Sequence, residues 1–457
     1  MNVEFKNLGF VKNIELNLDK NLIVLCGPNN SGKTYVAYAL YGLMKYKSQV
    51  PTSKNIISKL KNLFDEGQIN IDIRNLLIND SENFLNLISL SYVERISSVF
   101  AADKSMFSKF DLNIKLKDIN NIIENLLPIS INQEIGVKNS FSIKIFKEEN
   151  SDILSCILIN KDSKEIDYKS VIPTTVLLEV LSDRIFDILT NFVFPNTYIA
   201  PAERIAINIF SKELSLKRNI LVDKLLDLKQ ETNDDPLDLV KRRATRYPLP
   251  VRDSLEIAED LNNFKKNTTE FDHLANEIES EILKGQVLIS KEGEVQFKPE
   301  KAKSLKLPIH LTASIVKSLS SLVIYLRHIA KKGDFIIIDE PELNLHPDNQ
   351  VILARIIAKI SNTGFKVLIS THSDYVIREI NNLIMLNKNE KLVEKYDISK
   401  DTLLDYKKID AILFNYNQRK TSKINISETG FEVETIDNVV NNLNNLAQEL
   451  YFTTEFE

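Results

Sequence analysis

The chain has 457 residues, 43% of them hydrophobic and 26% charged, a balance that fits a soluble globular protein of two or three compact units and excludes a disordered or collagen-like chain. A net charge of −5 argues against a protein that coats nucleic acid through bulk charge alone, but not against one with a local basic patch. The longest apolar runs, such as Phe335 to Ile338, stop far short of the ~20 residues that cross a bilayer.

Met1 to Lys6 read as a charged strand and not as a signal peptide. Cys26 and Cys156 supply neither a disulfide framework nor metal-ligand spacing, so a reducing, cytoplasmic setting is the simplest expectation. Strand-period alternation runs through Val3, Phe5 and Leu8 and through Ile14, Leu16 and Leu18, then gives way to the buried-strand run Leu22 to Leu25. A turn at Gly27 to Gly32 follows, and a helical pattern (Val36, Ala37, Leu40, Leu43, Met44) begins at Lys33-Thr34. Residues 54–128 read as mainly helical, 129–168 as strands, and 177–194 as helix again. Residues 212–300 read as an inserted helical arm. Its second half places Ile257, Leu261, Phe264, Thr268, Phe271, Leu274, Ile278 and Ile282 at steps of three or four. A continuous helix of about 30 residues would project roughly 45 Å; the alternative is an amphipathic helix packed on the body. The expected division is therefore 1–50 and 301–390 for the two parts of one α/β head, 51–211 for an insert completing it, 212–300 for the arm, and 391–457 for a small strand and helix tail.

Gly27-Pro28-Asn29-Asn30-Ser31-Gly32-Lys33-Thr34 matches the phosphate-binding pattern G-x-x-x-x-G-K-S/T in full. Glycines let backbone N–H groups curl around phosphate oxygens, and the helix N-terminus behind them favours negative charge. Lys33 is expected to be solvent-accessible without ligand and to reach the β and γ phosphates of ATP, while the Thr34 hydroxyl is a ligand for Mg²⁺. The loop lies between a buried strand and a helix, the context this motif needs.

A second buried run, Phe335 to Ile338, ends in Asp339-Glu340-Pro341-Glu342. Doubly wound sheets place chemistry at the carboxyl ends of such strands. Asp339 is suited to hold Mg²⁺ beside Thr34, and Glu340 to act as general base for the attacking water. A third run, Val367 to Ser370, ends in Thr371-His372, where the imidazole is either a satisfied structural residue or a γ-phosphate sensor. His346 lines an interface beside the nucleotide or caps the next helix.

On these motifs, residues 3–48 and 305–387 resemble the split head of an ATP-binding-cassette (ABC) ATPase of the RecF, SMC and OLD-like type. The run Asp339-Glu340-Pro341-Glu342-Leu343-Asn344-Leu345-His346-Pro347 is specific to that group. Transporter ATPases keep their two nucleotide motifs much closer together. The resemblance implies a Mg²⁺-dependent ATPase in which two heads sandwich ATP, with a signature serine from the opposite subunit. Ser314 in Leu311 to Lys317 matches that serine, but Ile315 and Val316 stand where the family has glycine; Thr312 or Ser314 would cap the helix from Lys317 to Ala330. Tyr198 to Arg204 resembles a segment of OLD-like defence ATPases. The Toprim nuclease domain of the Gabija type has no counterpart after His372. The remaining likeness is to stand-alone anti-phage ATPases such as Septu PtuA and PARIS AriA, which implies a homo-oligomer of head-to-head dimers, a separately encoded nuclease or toxin effector, and no membrane. The alternative is a DNA-binding repair ATPase of RecF or SMC character; a third is a nucleotide-gated scaffold. Lys241, Arg242, Arg243 and Arg246 form either a solvated face or a contact for nucleic acid or an acidic partner.

Overall fold

The structure, a computed structural model, describes residues 1–47, 60–63, 66–117, 119–136, 141–160, 174–211, 247–302, 304–416 and 419–454. They form two units: Met1–Glu4, Leu43–Arg95 and Asp111–Asn196 in one, Phe5–Gly42, Ile96–Phe110 and Thr197–Glu457 in the other. The strands are β1 (Asn2–Leu8), β2 (Val11–Asn17), β3 (Leu22–Cys26), β4 (Gln68–Asp72), β5 (Asp111–Lys115), β6 (Ile131–Gly136), β7 (Phe141–Lys147), β8 (Ile153–Asn160), β9 (Thr197–Ala200), β10 (Gly285–Ile289), β11 (Val295–Pro299), β12 (Leu307–Pro308), β13 (Phe335–Asp339), β14 (Lys366–Thr371), β15 (Ile409–Asn415) and β16 (Lys420–Lys423). The principal helices are α1 (Lys33–Tyr46), α2 (Ile73–Phe100), α3 (Ile119–Leu126), α4 (Thr174–Val193), α5 (Leu249–Glu259), α6 (Leu261–Phe264), α7 (Asp272–Glu277), α8 (Ser314–His328), α9 (Pro347–Asn362), α10 (Asp374–Leu386) and α11 (Glu434–Thr454).

The second unit is built on a six-stranded sheet in the order β16-β15-β3-β14-β13-β9. All strands but the edge strand β16 run parallel. Every side chain of β3 and of β13 is buried, as a parallel sheet covered on both faces requires. This is the α/β class expected from the sequence. Cys26 pairs with Thr371, Asp339 with Ser370, and Ile338 with Ala200. The carboxyl ends of β3, β14, β13 and β9 therefore reach one edge, and each hands its chain to a loop there. Pro347 opens α9 at a first-turn position that needs no N–H. Ser373 caps α10 by accepting the N–H of Val376 at 3.2 Å.

The C-terminal residues do more than form an appendage. β15 lies against β3, so the phosphate-loop strand has a parallel neighbour on each side. The first half of the expected arm lies outside the described residues up to 246. From 249 to 283 the chain is not one continuous helix. It folds as α5, α6, α7 and a π-helical turn, Ile278–Leu283, followed by the β10–β11 hairpin. Leu261, Phe271, Leu274, Ile278 and Ile282 are buried in the same core as Ile356 of α9 and Leu326 of α8. The break after α6 has a partner: the Thr269 N–H and hydroxyl donate to the carbonyls of Arg327 and Leu326. Arg327 then binds Asp272 at 2.6 Å and Glu279 at 2.9 Å, which pins the stripe inward.

In the first unit, β4-β8-β7-β6 form an antiparallel sheet whose Ile143, Ile145, Leu154 and Cys156 are buried. Strands β4 and β5 interrupt the stretch 54–128, which the sequence reads as mainly helical.

Candidate nucleotide site

The phosphate loop adopts a conformation only glycine tolerates at two points. Gly27 has φ +135°, and a Cβ there would lie 2.5 Å from the carbonyl oxygen of Phe414. Gly32 has φ +102°, and its Cβ would meet Val11 Cγ2 at 2.5 Å. Asn30 is left-handed too, at φ +59°, a conformation its short polar side chain accommodates. Pro28, Asn29 and Asn30 are exposed, and the Ser31 hydroxyl donates to Pro28 O at 2.7 Å.

Lys33 departs from expectation. It is only 6% exposed, because its Nζ folds back to donate to the carbonyls of Gly27 and Pro28, both at 2.8 Å. Those oxygens stand in for the phosphate oxygens the loop is shaped to cradle. Burial lowers the Lys33 pKa, while Glu340, Asp339 and Glu342 act to raise it.

Asp339 is fully buried at the end of β13. Its Oδ1 accepts the Ser370 hydroxyl, and its Oδ2 is buried without a partner among the described residues. Burial pushes this carboxyl up to about 6, against the Ser370 and Thr34 hydroxyls, which hold it down. An orphaned carboxylate oxygen beside a threonine hydroxyl is a donor set that fits a hard divalent cation. Glu340, next in the chain, has φ +50°, and its N–H donates to Ser370 O at 3.0 Å.

His372 follows β14, with its side chain 42% exposed. Its backbone N–H and the Thr371 hydroxyl donate to Glu342 Oε1, at 2.9 and 2.8 Å, and Nδ1 lies 3.3 Å from the same oxygen. Glu342 is itself buried. Its orienting position is not visible from spacing, although it sits inside the Asp-Glu-Pro-Glu run.

Ser314 is exposed at the first position of α8. The expected side-chain cap is not formed: the N-cap is Ala313, and the Thr312 hydroxyl donates to Ile309 O instead. The helix also begins three residues earlier than Lys317. His346 occupies the N-cap position of α9 without a side-chain cap bond; its Nδ1 lies 3.3 Å from Asp348. The basic run Lys241 to Arg246 lies outside the described residues.

The segment from β9 onward, placed near the site by its likeness to OLD-like ATPases without individual roles, supplies two residues with definite contacts. Glu203 Oε2 accepts the hydroxyl of Tyr38 from α1 at 2.5 Å. Arg204 is buried behind Asp339 and Glu340 and donates to both their carbonyls.

The structure thus brings Gly27 to Thr34, Asp339, Glu340 and His372 to one sheet edge. A phosphate loop, a buried aspartate beside its threonine and an adjoining glutamate define a P-loop ATPase. The chain belongs to the AAA ATPase domain family, whose model matches residues 1–377. No curated protein matches it. Among solved structures it is similar to the Smc head domain with an extended coiled coil from Pyrococcus furiosus, bound to the C-terminal domain of ScpA, at 13% identity and TM-score 0.33 over 98% of each chain. An SmcHead bound to the C-winged helix domain of ScpA has 13% identity and TM-score 0.34, covering 93% of this chain and 96% of that one. The SMC head domain from Thermotoga maritima has 9% identity and TM-score 0.29, covering 93% and 98%. Likenesses this low carry neither partner nor substrate to this chain. Among the described residues, no helix is long and apolar enough to cross a membrane.

Proposed function

We propose that the protein is a Mg²⁺-dependent ATPase of the ABC type whose nucleotide state brings two heads together. The observation that carries this reading is the buried Asp339 carboxylate beside the Thr34 hydroxyl, its Oδ2 without a protein hydrogen bond of normal geometry among the described residues, at the mouth of a full phosphate loop. On ATP binding, Lys33 exchanges the carbonyls of Gly27 and Pro28 for the β and γ phosphates. Thr34 and Asp339 would hold the cation, and Mg²⁺ bound there would supply charge neutralisation for the phosphate oxygens. Glu340 accepts the proton of the attacking water, and His372, oriented by Glu342, faces the γ-phosphate. Ser314 from a second copy completes the site, where a helix N-terminus stabilises charge better once water is excluded.

The head motions would control a separately encoded nuclease or toxin in a cytoplasmic anti-phage system. The likeness of Tyr198 to Arg204 to a segment of OLD-like defence ATPases supports that finer reading. A DNA-clamping repair ATPase is the second reading, favoured by the basic run Lys241 to Arg246. ATP-dependent binding of duplex DNA in a gel shift would select it.

A pair of variants tests the ATPase. Lys33→Ala should lose ATP affinity by at least ~10²-fold in calorimetry, through loss of a charge-assisted contact to phosphate. Glu340→Gln should bind ATP as the parent does yet turn over ~10²-fold more slowly. Parent-like turnover by Glu340→Gln refutes the base assignment.

A further inference from the structure

We propose that Arg204 is a positioning residue that couples the Ser314 end of α8 to the backbone of Glu340. The inference rests on the reading of Glu340 as the base, and its test is separable from that reading.

The donors of Arg204 account for the claim. Nη1 donates to Asp339 O at 2.7 Å and Pro201 O at 3.1 Å, and Nη2 donates to Glu340 O at 2.6 Å. Nε is shared between the carbonyl and the hydroxyl of Ser318, at 3.1 and 3.0 Å. The side chain is 2% exposed, and none of these acceptors is a carboxylate. A buried guanidinium usually answers a carboxylate or phosphate. This one instead holds five oxygens of three chain segments in fixed relation.

What it holds is strained. Glu340 is a non-glycine residue at φ +50°, a conformation that persists only where its surroundings enforce it. Its N–H is fixed by Ser370, and its carbonyl by Arg204 at 2.6 Å and by the Leu343 N–H at 3.1 Å. Removing the Arg204 fork leaves that carbonyl only the Leu343 N–H of its own turn and cuts its tie to α8, so the strained peptide loosens and the carboxylate it carries loses its aim.

The other end of the fork reaches α8. Ser318 lies one turn beyond Ser314, and its hydroxyl also lies 3.3 Å from Leu343 O, donating to it. Asn208 Nδ2 donates to the neighbouring Lys317 O at 2.6 Å. Displacement of the first turn of α8 must therefore move Ser318, then Arg204, then the Glu340 carbonyl. Such packed polar links carry coupling when their elements have two arrangements, and dimer closure on Ser314 would supply the second.

The test uses the full chain with Arg204→Lys, which keeps the charge but not the fork, and with Ser318→Ala, a smaller change in case the first variant folds poorly. Arg204→Lys should leave the ATP dissociation constant within about threefold, since the phosphate loop is untouched. Turnover should fall by about 10²-fold, as expected for two charge-assisted hydrogen bonds. Ser318→Ala should fall by about tenfold. Hydrogen exchange, read without nucleotide, should rise together at 338–345 and at 314–320 in both variants. Exchange rising at only one segment, or ATP affinity and turnover falling in parallel, overturns the coupling and leaves Arg204 a structural knot. If the parent binds ATP without hydrolysing it, the base assignment fails, while the exchange data still decide the coupling.

Discussion

Glu342 Oε1 gathers the Thr371 hydroxyl, the His372 N–H and, at 3.3 Å, His372 Nδ1, so one buried oxygen sets both the backbone and the ring of the candidate sensor. Glu342→Gln keeps the shape and an acceptor but removes the charge facing Nδ1. Turnover should drop about tenfold with KM within twofold, because orientation is lost but ground-state binding is not. Glu342→Ala also strands two donors and should cost about 1–3 kcal/mol in denaturant unfolding. A KM rising as much as turnover falls would count against the orienting role.

Asp339 predicts a pH dependence. Its carboxyl is raised from 3.8 to about 6, chiefly by burial, so the free site is protonated below that point. Cation binding needs the ionised form. Mg²⁺-dependent ATP affinity should therefore fall by about tenfold per unit as pH drops below 6. For stability the sign is opposite to that of a salt-bridged carboxylate. The burial cost is absent below the ordinary value of 3.8, grows as pH rises to about 6, and is complete above it. Asp339→Asn should accordingly gain stability over the parent at pH 7 and lose that advantage near pH 4. Urea melts of both proteins without nucleotide at the two pH values provide the check.

Gly27→Ala combines a forbidden φ with a 2.5 Å approach to the Phe414 carbonyl in β15. It should destabilise the fold by about 1–3 kcal/mol or more and weaken ATP binding with it. Stability equal to the parent in a thermal melt would show that β15 gives way at little cost.

Ser314→Arg should separate binding from closure. The residue is exposed at the head of α8, so bulk and charge there leave the core intact. In a Glu340→Gln background, Mg²⁺ and ATP should draw labels on two heads together, and adding Ser314→Arg should prevent this with ATP affinity within about threefold. Heads equally close with and without ATP would end the nucleotide-gated mechanism.

Much of the site was legible because its parts are continuous in sequence. The loop from Gly27 to Thr34, the run into Asp339-Glu340 and the run into His372 each carry an apolar strand followed at once by polar chemistry. Buried parallel strands demand that pattern, and it needs no long-range knowledge. Lys33 was misjudged because its burial depends on the curl of its own loop, a backbone matter. The stripe from Ile257 to Ile282 had a helix period but no signal for the break at Thr269, which Arg327 and Leu326 satisfy from a remote helix.

By itself the sequence determined the strand runs that lead into the site (β3, β13 and β14), the loop that only Gly27 and Gly32 permit, and the residue types at those strand ends. Tertiary structure alone decided which strands are neighbours. It put β15 beside β3 and β9 beside β13, and so brought Arg204 under Glu340 and Phe414 over Gly27. The physical reason is the reach of the interactions. Propensity, periodicity and turn chemistry act over a few residues, whereas a guanidinium that binds the carbonyls of Asp339 and Glu340 and both oxygens of Ser318 acts only after distant strands and helices have packed.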